Sequence, residues 1–130
     1  QQLEKIPKTK RKLITSHDAF RYLGRSFGRE VIALQGVSTA IEAGLGDRSN
    51  LVDYLRQNQV SALFVESSVN PAALKEIAKE TQIKVGSPLF SDACGSKERQ
   101  ISGPNGEKYA LSTWAGMMIH NINAMVEGLQ

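Results

Sequence analysis

Four short runs of apolar residues alternate along the chain with four amphipathic stretches. The apolar runs occupy residues 12–16, 31–34, 62–65 and 84–90. Apolar side chains recur at helical spacing at about 18–27, 50–58, 71–78 and 112–129. Continuous apolar strands that alternate with helices are typical of a parallel sheet covered on both faces. We therefore predict an α/β fold with a single open, mainly parallel four-stranded sheet flanked by helices.

Several single residues refine these boundaries. Gly28 stands where the first helix should end, and Asn70 and Pro71 stand where the third should begin. Pro88 within the fourth run indicates an edge strand or a bulge. The last helix carries one apolar stripe, which we expect to pack in the core: Trp114, Met118, Ile122, Met125 and Leu129.

Residues 93–112 interrupt the alternation. They are rich in glycine and turn-forming residues and show no clear period. A loop of that length in a compact domain is usually functional or disordered. We predict an irregular loop here, with Cys94 as a small buried side chain rather than a thiolate ligand.

Composition and charge narrow the class of protein. Hydrophobic residues make up 41% of the 130 positions, charged residues make up 22%, and the net charge is +3. These values suit one ordinary globular domain. No apolar run approaches the roughly 18 residues of a membrane span. Basic residues are frequent in 5–12, but no aromatic residues interleave with them, so we predict a solvated linker rather than nucleic-acid contact.

The chemistry-bearing side chains stand at the predicted strand ends. In an open parallel sheet, ligands bind beyond the carboxyl ends of the strands. The four predicted strands end at His17, Gln35, Glu66 and Asp92. An imidazole and two carboxylates would then share one edge of the sheet. Nitrogen together with carboxylate oxygen suits zinc, manganese or ferrous iron.

Each of these residues also has an alternative role. His17 could satisfy a buried backbone group, and Asp92 could be a turn residue. Glu66 could be a ligand or a carboxylate that orients His17 or the loops. His120 lies roughly opposite the apolar stripe of the last helix, so we expect it at the surface or facing a hinge. Because a closed zinc site needs four ligands, the set is incomplete.

Sequence motifs argue against an enzyme. The chain has no G-x-S-x-G elbow, no G-x-G-x-x-G after the first strand, no P-loop and no H-E-x-x-H pair. A small metallohydrolase would need an open metal position and a general base, for which Glu66 could serve. Two or three ligands on one unit make a poor catalytic site, so we predict that the chain is not an enzyme.

Five segments in order resemble the cluster A-I periplasmic metal-binding proteins of manganese, zinc and iron ABC importers. The segments are Thr15–Tyr22, Leu34–Thr39, Phe64–Val69, Leu89–Ala93 and Gly116–Asn121. The match covers nearly the whole chain, but only the second half of such a protein. The resemblance implies two lobes joined by one long helix, with the metal held between them.

The family pattern assigns roles to individual residues. His17 falls on the third metal ligand, Asp92 on the fourth, and Glu66 on a glutamate that does not bind metal directly. Residues 1–11 would be the end of the connecting helix and a linker, and residues 12–130 the C-terminal metal-binding lobe. Two histidine ligands of the N-terminal lobe have no counterpart here, so the site would be incomplete in this chain.

The resemblance also implies partners and a location. The partners would be the N-terminal lobe of the same protein and the membrane permease of an ABC importer, with no nucleic acid. The protein would be periplasmic or lipid-anchored on the outer face of the bacterial cytoplasmic membrane. The imidazole of His17 tilts the site toward zinc, while manganese and iron stay open. The alternative is a surface adhesion or interaction module with a structural metal.

Overall fold

A four-stranded parallel sheet forms where the apolar runs predict it. A computed structural model of the chain describes residues 3–7, 10, 12–16, 19–33, 45–67 and 71–130. The strands of this sheet are β1 (Lys12–Thr15), β2 (Glu30–Ala33), β3 (Ala62–Phe64) and β4 (Lys84–Val85). Their order is β2-β1-β3-β4, and all three neighbouring pairs are parallel. The predicted fold class is therefore confirmed, and Pro88 follows the edge strand β4.

Helices cover both faces of this sheet. They are α1 (Arg21–Ser26), α2 (Leu45–Gln57), α3 (Ala72–Thr81) and α4 (Trp114–Leu129), and a short 3-10 helix spans Leu3–Lys5. Gly28, with φ of 61°, follows α1 in the left-handed conformation predicted for a helix C-terminus. Asn70 lies outside the described residues. Within the described part of the chain, no helix combines the length and the apolar character that crossing a membrane requires.

Two hydrophobic clusters form the core because neighbouring strand residues face opposite sides of the sheet. Leu13 faces α1 and α4, whereas Ile14 faces α2 and α3. The first cluster includes Phe20, Phe64, Leu89, Met125 and Leu129, and the second includes Leu51, Leu55, Leu63, Leu74 and Ile77. The sheet is thus buried on both faces, as its nearly continuous apolar strands predict.

The ring of Phe64 is packed between two glycines. A Cβ atom on Gly128, near the end of α4, would lie 2.5 Å from Cζ of the ring. A Cβ atom on Gly86, just after β4, would also collide with this ring. Phe64 is fully buried, so the ring has no open space into which it can move. The absence of two side chains therefore lets α4 lie close to the sheet.

The segment 93–112 contains a β-hairpin, so the prediction of an irregular loop was wrong. Strands β5 (Gln100–Ser102) and β6 (Lys108–Ala110) pair in antiparallel register. Gly106 has φ of 90°, and the Gly103 amide donates to the Glu107 carbonyl at 2.7 Å to close the turn. Each strand is three residues long and contains no buried residue, so no apolar period marks it.

The two ends of this hairpin segment are hydrogen-bonded to each other. The Gly95 amide donates to the Leu111 carbonyl at 3.0 Å, and the Leu111 amide donates to the Arg99 carbonyl at 2.8 Å. Leu111 is buried, and the hairpin lies against α4. The segment therefore leaves the body of the domain and returns to it at nearly the same place.

Three side chains are more exposed than predicted. Trp114 is 71% exposed because it is the first residue of α4, whereas Met125 and Leu129 of the same stripe are buried. Phe27 belongs to the apolar helical spacing at 18–27, which predicts an inward face, but it directly follows α1 and is 41% exposed. Cys94 is exposed rather than buried, and its sulfur lies 3.8 Å from that of Met117.

We expect Gly128→Ala to destabilise the fold by about 1–3 kcal/mol, because the added methyl group overpacks the ring of Phe64. This loss should appear although alanine favours helix more than glycine does. Urea-induced unfolding measures the free energy. In a Phe64→Leu background the same substitution should have less than half this effect, since the distal ring atoms are gone. An equal loss in both backgrounds would contradict the packing argument.

Candidate metal centre

The strands β1 and β3 end side by side, and a reciprocal pair of hydrogen bonds joins the residues that follow them. Thr15 lies beside Phe64 in the parallel register. The Ser16 amide donates to Oε2 of Glu66 at 3.1 Å, and the Glu66 amide donates to Oγ of Ser16 at 3.2 Å. Both residues are buried, and Glu66 is fully so. The backbone next to His17 is thus fixed to the end of β3.

Because Glu66 is fully buried, its carboxylate depends on the hydrogen bond from Ser16. A carboxylate away from water is tolerated only when its oxygens accept hydrogen bonds. A hydrogen bond to a charged group stabilises a fold by about 1.5–3 kcal/mol. The bond to the Ser16 amide turns the side chain toward the backbone of β1. This geometry suits the role of orienting the neighbouring chain, which was one of the two alternatives for Glu66.

The chain after β4 reaches the same edge of the sheet. Leu89 pairs with Glu66 in a parallel bridge. The Leu89 amide donates to the Val65 carbonyl at 2.9 Å, and the Ser67 amide donates to the Leu89 carbonyl at 2.8 Å. Asp92 follows three residues later and is exposed. Its carboxylate therefore stands close in sequence to a backbone segment that is fixed beside Glu66.

Two adjacent side chains of α4 hold this segment from its other side. Asn121 accepts from the Phe90 amide at 2.9 Å and donates to the Phe90 carbonyl at 2.7 Å. His120 donates from Nε2 to the Pro88 carbonyl at 2.9 Å. Its ring packs edge-on against that of Phe90, with the two ring centroids 5.1 Å apart. His120 is partly exposed, in line with the expectation of a surface position, but its ring also packs on this loop.

Sequence reasoning missed the part played by Asn121. This residue is fully buried, although it lies in a helix whose buried residues are otherwise apolar or glycine. A buried amide must have hydrogen-bond partners, so a polar residue on the inner face of a helix signals a specific contact. That signal was available in the sequence, but its partner, Phe90, lies 31 positions away.

Not all of the predicted site lies in the described part of the chain. His17 and Gln35 lie outside it, while Ser16, Glu66 and Asp92 lie within it. Within those described ranges, no three His, Cys, Asp or Glu side chains come together as a group that could hold a metal ion. The described part of the site therefore consists of one exposed carboxylate, Asp92, and the buried pair behind it.

A family profile and individual known proteins match this chain and point to the same family. The profile of the family described as zinc-uptake complex component A, periplasmic (ZnuA), matches residues 1–128. The manganese-binding lipoprotein MntA of Bacillus subtilis is 41% identical over 130 residues, which cover 96% of this chain and 39% of that protein. The zinc-binding protein TroA of Treponema pallidum is 37% identical over 131 residues, covering 97% and 39% respectively.

A solved structure gives the same result in three dimensions. The periplasmic zinc-binding protein TroA from Treponema pallidum superposes with a TM-score of 0.77 and 34% sequence identity. The superposition covers 98% of this chain and 44% of that one. The present chain thus spans less than half the length of these relatives.

We expect Glu66→Leu to lower the free energy of unfolding by about 1–3 kcal/mol, because the buried Ser16 amide loses its acceptor. Glu66→Gln should lower it less, since a side-chain oxygen stays in place. Urea-induced unfolding measures both variants. Glu98→Leu is the control, because Glu98 is exposed and its replacement should change stability by no more than about 0.5 kcal/mol. Equal losses for the leucine and glutamine variants at position 66 would argue against this hydrogen bond.

Proposed function

Because the chain belongs to the ZnuA family of periplasmic zinc-uptake components, we propose that it is the C-terminal lobe of a two-lobed solute-binding protein. The whole protein captures a divalent transition metal and delivers it to the permease of an ABC importer. In this proposal residues 12–130 form the lobe and residues 1–11 form the end of the connecting helix and a linker. The protein acts in the periplasm or is lipid-anchored outside the cytoplasmic membrane.

The observation that carries this proposal is the convergence of three strand ends at one edge of the sheet. Ser16 and Glu66 are hydrogen-bonded to each other there, and Glu66 pairs with Leu89. Ligands of open parallel sheets bind at this edge. We propose that His17 and Asp92, which follow two of these strands, supply one nitrogen and one oxygen ligand. Glu66 orients the backbone that carries His17.

The division of ligands between two lobes explains how metal binding could be sensed. Two ligands from this lobe leave at least two positions of a four-coordinate metal for the other lobe. A bound metal then links the two lobes, and the permease distinguishes linked from unlinked lobes. Release requires a ligand-bearing loop to move, because the sheet edge itself is fixed by hydrogen bonds.

The ligand types allow more than one metal. An imidazole nitrogen with a carboxylate oxygen suits zinc, manganese and ferrous iron. The names of the relatives include both a manganese-binding lipoprotein and a zinc-binding protein. We therefore propose zinc or manganese as the cargo, with iron as a third candidate. Transport of a metal is proposed rather than catalysis, and no described feature favours the adhesion alternative.

We expect His17→Ala and Asp92→Asn to weaken metal binding by the full-length protein more than about 100-fold. Loss of an outer partner of a metal ligand typically weakens binding about 10- to 100-fold, and loss of a ligand should exceed this. Competition with a chromophoric chelator measures the Kd for zinc and for manganese. Asp53→Asn is the matched control for Asp92, because Asp53 is an exposed carboxylate on α2.

The outcomes separate the two residues. An unchanged Kd in the His17 variant would remove that residue from the site, and an unchanged Kd in the Asp92 variant would remove the carboxylate. If the wild-type protein binds none of zinc, manganese and ferrous iron, the proposed function itself is wrong.

A further inference from the structure

The loop that carries Asp92 is fixed from two sides before it reaches this residue. On one side, the backbone of Leu89 bonds to Val65 and Ser67 beside β3. On the other side, His120 and Asn121 of α4 bond to the backbone groups of the residues before and after Leu89. Leu89 itself is fully buried. The chain is therefore held as far as Phe90 and leaves the core only after it.

The backbone between Asp92 and Phe90, the last residue before it that α4 holds, is short. Asp92 lies two residues after Phe90, and two extended residues span at most about 7 Å. A shift of Phe90 would therefore carry Asp92 with it. Metal sites need their ligands held within a few tenths of an ångström of the productive geometry, so the position of Phe90 matters for binding.

The hydrogen bonds from Asn121 fix the register of the loop against α4, which packing alone would not do. Asn121 uses both its carbonyl oxygen and its amide nitrogen on the same residue, Phe90. A slip of the loop by one residue along α4 would leave the buried amide of Asn121 without these partners, which is costly in the core. An apolar side chain of similar volume would pack there, but it would not select this register.

We propose that His120 and Asn121 are positioning residues for the metal site. They fix the backbone at Pro88 and Phe90, and thereby set where the carboxylate of Asp92 stands. Neither residue is itself a metal ligand. This inference rests on the proposed function, because it assigns to the two residues an effect on metal affinity.

The test compares variants in the full-length protein. Asn121→Leu keeps a similar volume and removes both hydrogen bonds. His120→Ala removes the bond to Pro88, whereas His120→Gln keeps a donor there. The matched control is Ile77→Ala, which opens the hydrophobic cluster on the opposite face of the sheet. Each protein is measured for zinc Kd by chelator competition and for hydrogen exchange of the Phe90 amide without metal.

We expect Asn121→Leu to lose protection of the Phe90 amide and to weaken zinc binding about 10- to 100-fold, as for the outer partners of metal ligands. The control should destabilise the fold and leave the Kd within about 2-fold. His120→Gln should bind closer to wild type than His120→Ala. If His120 and Asn121 only stabilised the fold, the zinc Kd would rise with the loss of stability in every variant, including Ile77→Ala.

Two results would overturn the inference, and they differ in what else they overturn. If wild type binds zinc and Asn121→Leu binds it equally well, the positioning role is wrong and the proposed function stands. If wild type binds none of zinc, manganese and ferrous iron, both are wrong. Should Asn121→Leu fail to fold, the half-buried His120 decides, and equal zinc Kd values for its alanine variant and for wild type would refute the inference.

Discussion

The reciprocal hydrogen bonds between Ser16 and Glu66 are the constraint on which the sheet edge that carries the proposed site depends. They join β1 to β3 beyond the last ladder position, with a fully buried carboxylate as one acceptor. Because a buried carboxylate requires its partners, the two strand ends cannot separate without a large loss of free energy. The chain after β4 then aligns on Glu66 through Leu89, and α4 closes over that chain.

Burial decreases along the chain from Leu89 toward Asp92. The residues behind the proposed site are buried and hydrogen-bonded, whereas Asp92 is exposed. In the proposed site, this arrangement would hold the backbone before the ligand in place and leave the carboxylate at the surface. The lobe thus combines a fixed location for the ligand with access from outside.

The sheet could be predicted from the sequence because its signal is local. Neighbouring residues such as Leu13 and Ile14 are both apolar, as a strand buried on both faces requires. The hairpin could not be predicted, since few of its side chains are buried. The exposure of Trp114 was missed because helical periodicity gives a direction around α4, not how far α4 extends past the sheet.

The candidate site was only partly within reach of sequence reasoning. Strand ends and the family resemblance indicated His17, Glu66 and Asp92. The structure places Glu66 beside Leu89 at one edge of the sheet, and Asp92 follows Leu89 by three residues. Whether His17 and Asp92 bind metal stays a prediction. The roles of His120 and Asn121 depend on backbone partners about 30 positions away, which no local pattern reveals.

The hairpin between β4 and α4 has a practical consequence. Gly95 and Leu111 are hydrogen-bonded where the segment leaves and rejoins the lobe. The chain between them is therefore a loop whose two ends are held together. Its exposed tip at Pro104 and Asn105 can accept extra residues without moving the ends. The entropic cost of closing a loop rises only slowly with its length. A fluorescent label or peptide tag attached at this tip would report on the lobe while leaving its strand ends in place.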